Sequence, residues 1–349
     1  MLQSIFPATD PKKDVFFGVL PFYHIYGAVK LLLFPFSLGL PVVLTPRFAP
    51  TAFCAAVERY KVTIALIVPP LLVVFARDPA IKQHDLRSLT MLFSGAAPLG
   101  AKLVKTVRER FLTVGADVCI TQGYGLTETS PTTHLLHPKY SESHVGSVGH
   151  LCPNLEARLV DEEGEVLRDV NPGESGELWV RGPTIMKGYL NNPSATKASV
   201  TPEGWFKTGD IAVRDKDGFY TIVDRRKELI KYKGFQVPPA ELESLLLQHP
   251  DVADAAVIGV ESKEEATELP RAYVVHANPS VVSTPSACMA FEASVQAWVA
   301  ERVARHKKLR GGVVVIPLVP KSAAGKILRR ELRERAKKEE ATGQVKAKL

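Results

Sequence analysis

Between Asp14 and Thr121 four short apolar runs, VFFGVL (15–20), VTIALIV (62–68), TMLFSG (90–95) and DVCIT (117–121), alternate with segments whose apolar residues recur at helical spacing. Parallel strands need a long crossover between them, and a helix supplies it, so this alternation is the pattern of βαβ units. An α/β domain around a largely parallel sheet is expected. In such sheets ligands collect at the carboxyl ends of the strands. That rule singles out GAAPLG (95–100), after Ser94, and QGYGLTETSP (122–131), after Thr121.

The texture changes from about Ser147 to Asp224, where short segments such as LEARLVD, GELWVRG and WFKTGDIAVRDKDGFYTIVD are punctuated by Gly, Pro and Asp. Turn signals at Asp161–Gly164 and Lys216–Gly218 predict hairpins, in a small β-barrel or a twisted antiparallel sheet. After the charged stretch DRRKELIKYKG a third pattern begins. A helix opens at Pro239 with Glu241 and Glu243 in its first turn, where acidic groups suit the helix dipole. Strands follow near Ala255–Val260 and Arg271–His276. A helix then carries Phe291, Val295, Trp298, Val299 and Val303 on one face. The strand GVVVIPLV precedes a last helix starting near Lys326, and the Lys/Glu-rich tail after Arg335 is expected to fray.

Composition removes several classes. Hydrophobic residues make up 46% and charged residues 23% of 349, which excludes wholesale disorder, collagen and coiled coil and leaves room for about two domains. The net charge of +7 comes from 44 Lys and Arg against 37 Asp and Glu, with basic runs such as Lys307-Lys308 and Arg329-Arg330 toward the C-terminus. No zinc finger, RNA-binding aromatic signature or basic zipper accompanies them, so nucleic acid is not expected as a partner. The 4 cysteines show no C-x-x-C pairing, which points to free thiols in a reducing compartment. The longest apolar stretch, Val62–Ala76, is shorter than the roughly 20 residues of a spanning helix and is divided by Pro69-Pro70, so no transmembrane segment is expected. The N-terminus lacks the signature of a signal peptide. The last three residues, Ala347-Lys348-Leu349, differ from the Ser-Lys-Leu peroxisomal address by one small-for-small change. Peroxisomal localisation through an import receptor is one expectation and the cytoplasm the other.

Several motifs carry chemistry, each with a plainer alternative. Glycines in GAAPLG and QGYGLTETSP allow close backbone approach to a flat or phosphorylated ligand, and Thr127 with Glu128 pairs a hydroxyl for phosphate with a carboxylate for Mg²⁺. The same two residues also read as a helix cap. Asp210, ending GWFKTGD (204–210), and Arg225 combine a carboxylate with a guanidinium that could grip ribose hydroxyls, or are a turn aspartate and a surface arginine. Lys326, at the end of the small-residue loop in PKSAAGKILRREL (320–332), suits charge delivery to a reacting anion, or is a solvated lysine in a first helical turn. In LPFYHIYG (20–27), His24 and Tyr26 lie two apart, on one side of an extended segment, and a core histidine is the alternative to a pocket wall.

Read in order, LPFYHIYG, LFSGAAPLG, QGYGLTETSP, GELWVRGPTIMKGYLNNP, GWFKTGD, DRRKELIKYKGFQVPPAELE and PKSAAGKILRREL resemble the adenylate-forming enzymes. Within that superfamily they look most like the 4-coumarate:CoA ligase and luciferase-like acyl-CoA ligases. The resemblance runs from about Phe16 to Leu332. It implies ATP-dependent activation of a carboxylic acid, aromatic or medium- to long-chain, to an acyl-adenylate, with Mg²⁺ as cofactor, followed by transfer to coenzyme A. A luciferase-like oxidative use of the adenylate and a non-catalytic nucleotide- or acyl-binding remnant are the alternatives.

By that resemblance Gly95, Ala96, Ala97, Gln122, Gly123, Tyr124 and Gly125 would line the adenine, with Tyr124 stacking on it. Thr127 would contact the α-phosphate and Glu128 the Mg²⁺. Asp210 and Arg225 would hold the ribose, and Lys231 and Gln236 would support adenylation. Lys227 would be a hinge, Lys233 and Gly234 would face CoA in a second conformation, and Lys326 would bridge the substrate carboxylate and the α-phosphate. His24 and Tyr26, with Gly123 and Pro131, would border the acyl pocket. The implied division is a partial α/β subdomain over 1–146, a β-barrel subdomain over 147–224, a hinge at 225–228, an α+β lid domain over 229–340 and a basic tail over 341–349. The family's phosphate loop with its own lysine belongs upstream of LPFYHIYG and does not occur in residues 1–19, so the chain is expected to be the C-terminal part of a longer enzyme.

Overall fold

The computed structural model describes residues 9–96, 99–161, 168–262, 264–322 and 325–341 of the 349. Ala97, the turn residues after Asp161 and the terminal Ala347-Lys348-Leu349 lie outside the described residues. The chain divides into two compact units, Met1–Ile222 and Val223–Leu349.

In the first unit β1 (Phe16–Gly18), β2 (Val42–Leu44), β3 (Ile64–Ile67), β4 (Met91–Ser94) and β5 (Cys119–Gly125) pair in parallel in the order β2-β1-β3-β4-β5. The antiparallel strands β6 (Thr132–Leu135) and β7 (His150–Leu151) extend this sheet beyond β5. Apolar runs form the central strands β1 and β3 because both of their faces are covered, so successive residues are apolar. Ile64, Ala65, Leu66 and Ile67 of β3 are all buried. One face carries Phe17, Ala65, Ile67 and Leu92 against the helices Pro50–Tyr60, Pro69–Arg77 and Ala101–Leu112. Phe53, Phe75 and Phe111 interlock there, with ring centroids 4.7 Å apart for Phe53–Phe75 and 5.7 Å for Phe75–Phe111. The other face carries Phe16, Ile64, Leu66 and Phe93, packed by Tyr26 and Leu31.

Two local departures from expectation shape the site. Gln122–Gly125, expected as loop, continue β5, because Gly123 pairs with Leu135 and Tyr124 with His134 across a tight hairpin. Gly125 permits that closure: a Cβ there would lie 1.8 Å from the Pro131 carbonyl oxygen. The segment holding His24 and Tyr26 is not extended either. Ile25–Gly27 starts a helix that continues as a π-helical stretch, Ala28–Leu33, and returns to α geometry over Phe34–Leu38. The chain folds back at Gly27, where a Cβ would meet the Pro21 carbonyl oxygen at 2.4 Å, and His24 caps the turn by accepting from Tyr26 N at 3.2 Å through Nδ1.

The second sheet of the chain contains β8 (Glu156–Asp161), β9 (Arg168–Asp169), β10 (Ser175–Arg181), β11 (Phe206–Arg214) and β12 (Tyr220–Arg225), in the order β12-β11-β10-β8-β9. Its pairings β8–β10, β10–β11 and β8–β9 are antiparallel, as the alternating pattern predicts. The expected turn at Lys216–Gly218 forms, with Asp215 Oδ1 accepting from Asp217 N and Phe219 N at 2.9 Å each.

The second unit begins within β12. It contains the hairpin of β13 (Ile230–Tyr232) and β14 (Phe235–Val237), and a sheet of β15 (Val252–Ser262), β16 (Thr267–His276) and β17 (Val313–Val315). The helices Pro239–Leu246, Pro285–Ala300 and Arg329–Ala341 accompany that sheet, and one core joins Leu242, Leu246, Val295, Val299 and Leu332 to Val257 and Tyr273. Only Glu241 serves the first helical turn; Glu243 is turned inward, where Arg329 donates to both its oxygens at 2.7 Å and Val257 N donates at 2.8 Å. Burial pushes the Glu243 carboxyl up to about 7, with Arg329 opposing. The last helix starts at Arg329, three residues later than expected, and runs to Ala341 rather than fraying after Arg335. Buried Leu332 and Ala336 and the Tyr273–Glu339 hydrogen bond at 2.9 Å hold it down. Among the described residues no helix is long and apolar enough to cross a membrane.

Candidate functional site

In the first unit the expected ligand loops meet where β4 and β5 end. Ser94 pairs with Gln122, which sets Gly95 and Ala96 beside Gly123 and Tyr124. Gln122 is buried and its Nε2 donates to the Ser147 carbonyl at 2.8 Å, so its side chain anchors the strand. Tyr26 packs beneath Gly95, and its hydroxyl donates to the Phe93 carbonyl at 3.0 Å. Burial raises the Tyr26 phenol well above its usual range, which keeps that donor in place. Ala96 adopts φ 69, in the left-handed region, so the backbone turns sharply at the strand end.

Tyr124 and Asp210 are 86 residues apart in sequence and in direct contact, with the phenol donating to Asp210 Oδ2 at 2.5 Å. Asp210 is buried on β11, and the bend before it is held by Glu177, whose Oε1 accepts from Gly209 N at 3.0 Å. An aromatic face and a buried carboxylate thus share one location. Thr127 and Glu128 lie on the short 3₁₀ turn Thr127–Thr129 that follows β5. Thr129, not Thr127, does the local capping: its Oγ1 accepts from Leu126 N at 2.9 Å and donates to the Pro131 carbonyl. The alternative of a capping role for Thr127 therefore falls, and its side chain is exposed.

Glu128 is positioned by a residue that sequence reasoning missed. Tyr189 donates its hydroxyl to Glu128 Oε1 at 3.0 Å, and Met186 N donates to the Glu128 carbonyl at 2.8 Å. Burial and the Glu128 carboxylate both raise the Tyr189 phenol, so it remains a donor. Tyr189 stood inside GELWVRGPTIMKGYLNNP, but nothing local signals a partner 61 residues upstream. Glu128 is the one carboxylate on its turn, and no group of three or more His, Cys, Asp or Glu could hold a metal among the described residues. That donor set fits Mg²⁺, which is commonly bound through one or two carboxylates together with substrate phosphates.

In the second unit Arg225 ends β12 and Lys227 lies in the following turn, both exposed. Lys231 and Gln236 face each other across the β13–β14 hairpin, and Lys231 N is held by Glu268 Oε2 at 2.7 Å. The hairpin turns at Lys233 and Gly234, which have φ 47 and 82. Lys233 pairs with Glu265 at 2.6 Å, which raises its ammonium above the usual lysine value. Lys326 is not in a first helical turn. It sits three residues before the last helix in a loop closed by the Lys321–Ile327 bridge, with Ser322 N donating to the Lys326 carbonyl at 2.8 Å. Lys321 is itself tied to Asp254 at 2.6 Å. The loop base is thus anchored, and the Lys326 side chain is exposed.

Comparison with known proteins fits this geometry. The AMP-binding enzyme family matches residues 1–190, and the AMP-binding enzyme C-terminal domain matches residues 241–326. The chain is 44% identical over 334 residues to the "Probable 4-coumarate--CoA ligase 1" of Dictyostelium discoideum, covering 95% of this chain and 57% of that protein. It is 46% identical over 315 residues to the "4-coumarate--CoA ligase-like 6" of Oryza sativa subsp. japonica, covering 90% of this chain and 50% of that protein. The chain therefore spans about half the length of these relatives. Among solved structures, an anthranilate CoA ligase in complex with anthranoyl-AMP superposes with a TM-score of 0.81 at 30% identity, over 95% of this chain and 60% of its own. An o-succinylbenzoate CoA synthetase from Bacillus subtilis in complex with its acyl-adenylate gives 0.78 at 30% identity, over 95% and 63%.

Proposed function

The chain belongs to the family of AMP-binding enzymes, and from that premise we propose that it serves an acid–CoA ligase which activates an aryl or acyl carboxylic acid with ATP and passes it to coenzyme A. The observation that carries the reading is the Tyr124–Asp210 contact beside Gly95 and Ala96. An aromatic ring beside a glycine backbone suits a stacked purine, and a buried carboxylate next to it suits ribose hydroxyls.

The chemistry asks for these residue types. A carboxylate attacking an α-phosphate brings two anions together, so positive charge and fixed donors must be present where negative charge gathers. Mg²⁺, when bound, supplies part of that neutralisation, and Glu128, oriented by Tyr189, would hold it. Thr127, exposed on the same turn, offers its hydroxyl to the phosphate. Lys326 is an exposed lysine on a short loop with an anchored base, which suits delivery of charge to the forming mixed anhydride. Lys233 and Gly234, on a separate turn, serve the thioester step, so the two half-reactions draw on different groups. The relatives' names support an aromatic acid, and the apolar surroundings of Tyr26 fit an aryl or aliphatic group equally.

Carboxylate-dependent ATP–pyrophosphate exchange against cinnamic, benzoic and fatty acids, with AMP binding as a control for folding, tests this reading. Exchange with one acid class supports it; AMP binding without exchange restricts the chain to nucleotide binding. In an exchange-competent protein Lys326→Ala is expected to slow adenylation by roughly 10²-fold, the scale of losing one electrostatic stabiliser. Thioester formation from supplied acyl-adenylate should change far less. Equal loss in both steps would remove Lys326 from the adenylation chemistry.

A further inference from the structure

A second recess lies on the sheet face that carries Phe93, whose ring centroid is 6.3 Å from that of Tyr26. Phe16, Ile64, Leu66, Met91 and Phe93 form its apolar walls, around about 390 Å³ of empty space, solvent-open mouth included. One charged side chain enters it. Lys30 is only 6% exposed, with its ammonium 5.8 Å from the Phe93 ring centroid. The titratable neighbour it has among the described residues is the Cys152 thiol, which burial pushes up to about 11 and so keeps neutral near pH 7. No carboxylate pairs with Lys30 among the described residues. Burial lowers the Lys30 ammonium to about 8, which still leaves it protonated at neutral pH. A cation buried among hydrocarbon without a counter-charge is unfavourable until an anion joins it.

Its place relative to the nucleotide-side residues is set by two periodicities. Lys30 follows Tyr26 by four residues along the helical stretch, so both lie on one face. The π-helical turn that carries Lys30 is a geometry found often at functional sites. Phe93 precedes Gly95 by two residues along β4, roughly 7 Å at strand rise. Tyr26 touches both the Phe93 ring, a wall of the recess, and Gly95, while Lys30 lines the recess itself.

We propose that Lys30 is a specificity-determining residue and that the acid activated here carries a second anionic group, a carboxylate at the far end of a short apolar spacer, which the Lys30 ammonium binds. This rests on the ligase reading, because it takes the recess beside Tyr26 as the place of the acyl group. The apolar walls are what the spacer would contact, and Lys30 is the counter-charge for its distal end.

The test pairs aliphatic and aromatic dicarboxylic acids of graded length with their monomethyl esters. Pyrophosphate exchange and thermal shift are measured on the chain, on Lys30→Met and on Lys30→Arg. One diacid length should be preferred over its ester by roughly 10- to 100-fold, the scale of a charge-assisted hydrogen bond. Lys30→Met, an unbranched apolar chain of similar length, should keep the fold and invert the preference toward the ester. Lys30→Arg should retain it. A diacid-specific thermal shift lost in Lys30→Met supports the site even without turnover. Equal use of diacid and ester, or a preference that survives Lys30→Met, overturns the assignment of Lys30 and leaves the ligase reading standing. A folded protein that gives neither exchange nor a shift with any acid or AMP overturns the ligase reading itself.

Discussion

His134 lies fully buried on β6, its ring 4.4 Å from Tyr220 and 5.9 Å from Tyr124, with Nδ1 bonded to Thr133 Oγ1 at 2.9 Å. Its Nε2 has no hydrogen-bond partner among the described residues, and burial, with His150 adding to it, lowers the imidazole to about 3. The unfolded chain takes up that proton near pH 6.5, whereas the folded one does so only near 3. Between those values the unfolded state binds more protons, so stability is full above about 6.5 and declines as pH falls. At pH 5 the loss attributable to His134 is about 2 kcal/mol. Urea unfolding at pH 7.5 and pH 5 should show this difference shrinking in His134→Gln; an unchanged difference would assign the acid sensitivity elsewhere. The resemblance singles out Tyr124 as the aromatic that would stack on adenine, and the structure sets its phenol against Asp210. That a neutral histidine forms part of its floor was not legible, because nothing in the spacing of His134 separates a buried ring from an exposed one.

The hairpin of β5 and β6 is the element on which the site depends, since it carries Gly123, Tyr124 and Gly125 and delivers Thr127 and Glu128 at its tip. Gly125→Ala places a methyl against the Pro131 carbonyl, a backbone group that cannot swing aside. It should destabilise the first unit by about 1–3 kcal/mol or more, read as a lower urea midpoint, and weaken AMP binding. A wild-type midpoint with normal binding would show that the hairpin relaxes freely. The strands were readable because runs such as VTIALIV are buried on both faces and need no pattern beyond continuous apolarity. The β5 extension was hidden because glycines in QGYG signal a loop, while their role is close strand approach. The last helix was misread in a similar way: charged residues after Arg335 suggested fraying, yet Tyr273 and the core beneath Leu332 and Ala336 hold it.

At the scale of the whole molecule, each compact unit has its own core, and the 3 tryptophans divide between them, Trp179 and Trp205 in the first and Trp298 in the second. Unfolding should therefore occur in two transitions. Comparing fluorescence unfolding of the wild type with Trp298→Phe isolates the second unit's signal, and coincident midpoints for both would show a single cooperative molecule. The motif order, the α/β class and the antiparallel pairing of β8, β10 and β11 were legible in the sequence itself, because periodicity and turn chemistry act over a few residues. Tertiary structure alone decided that Tyr189 orients Glu128 across 61 residues, that Tyr124 meets Asp210 across 86, and that Lys30 is enclosed by hydrocarbon. Those relations depend on which strands lie side by side and how deeply a face is covered, and no window along the chain contains both partners.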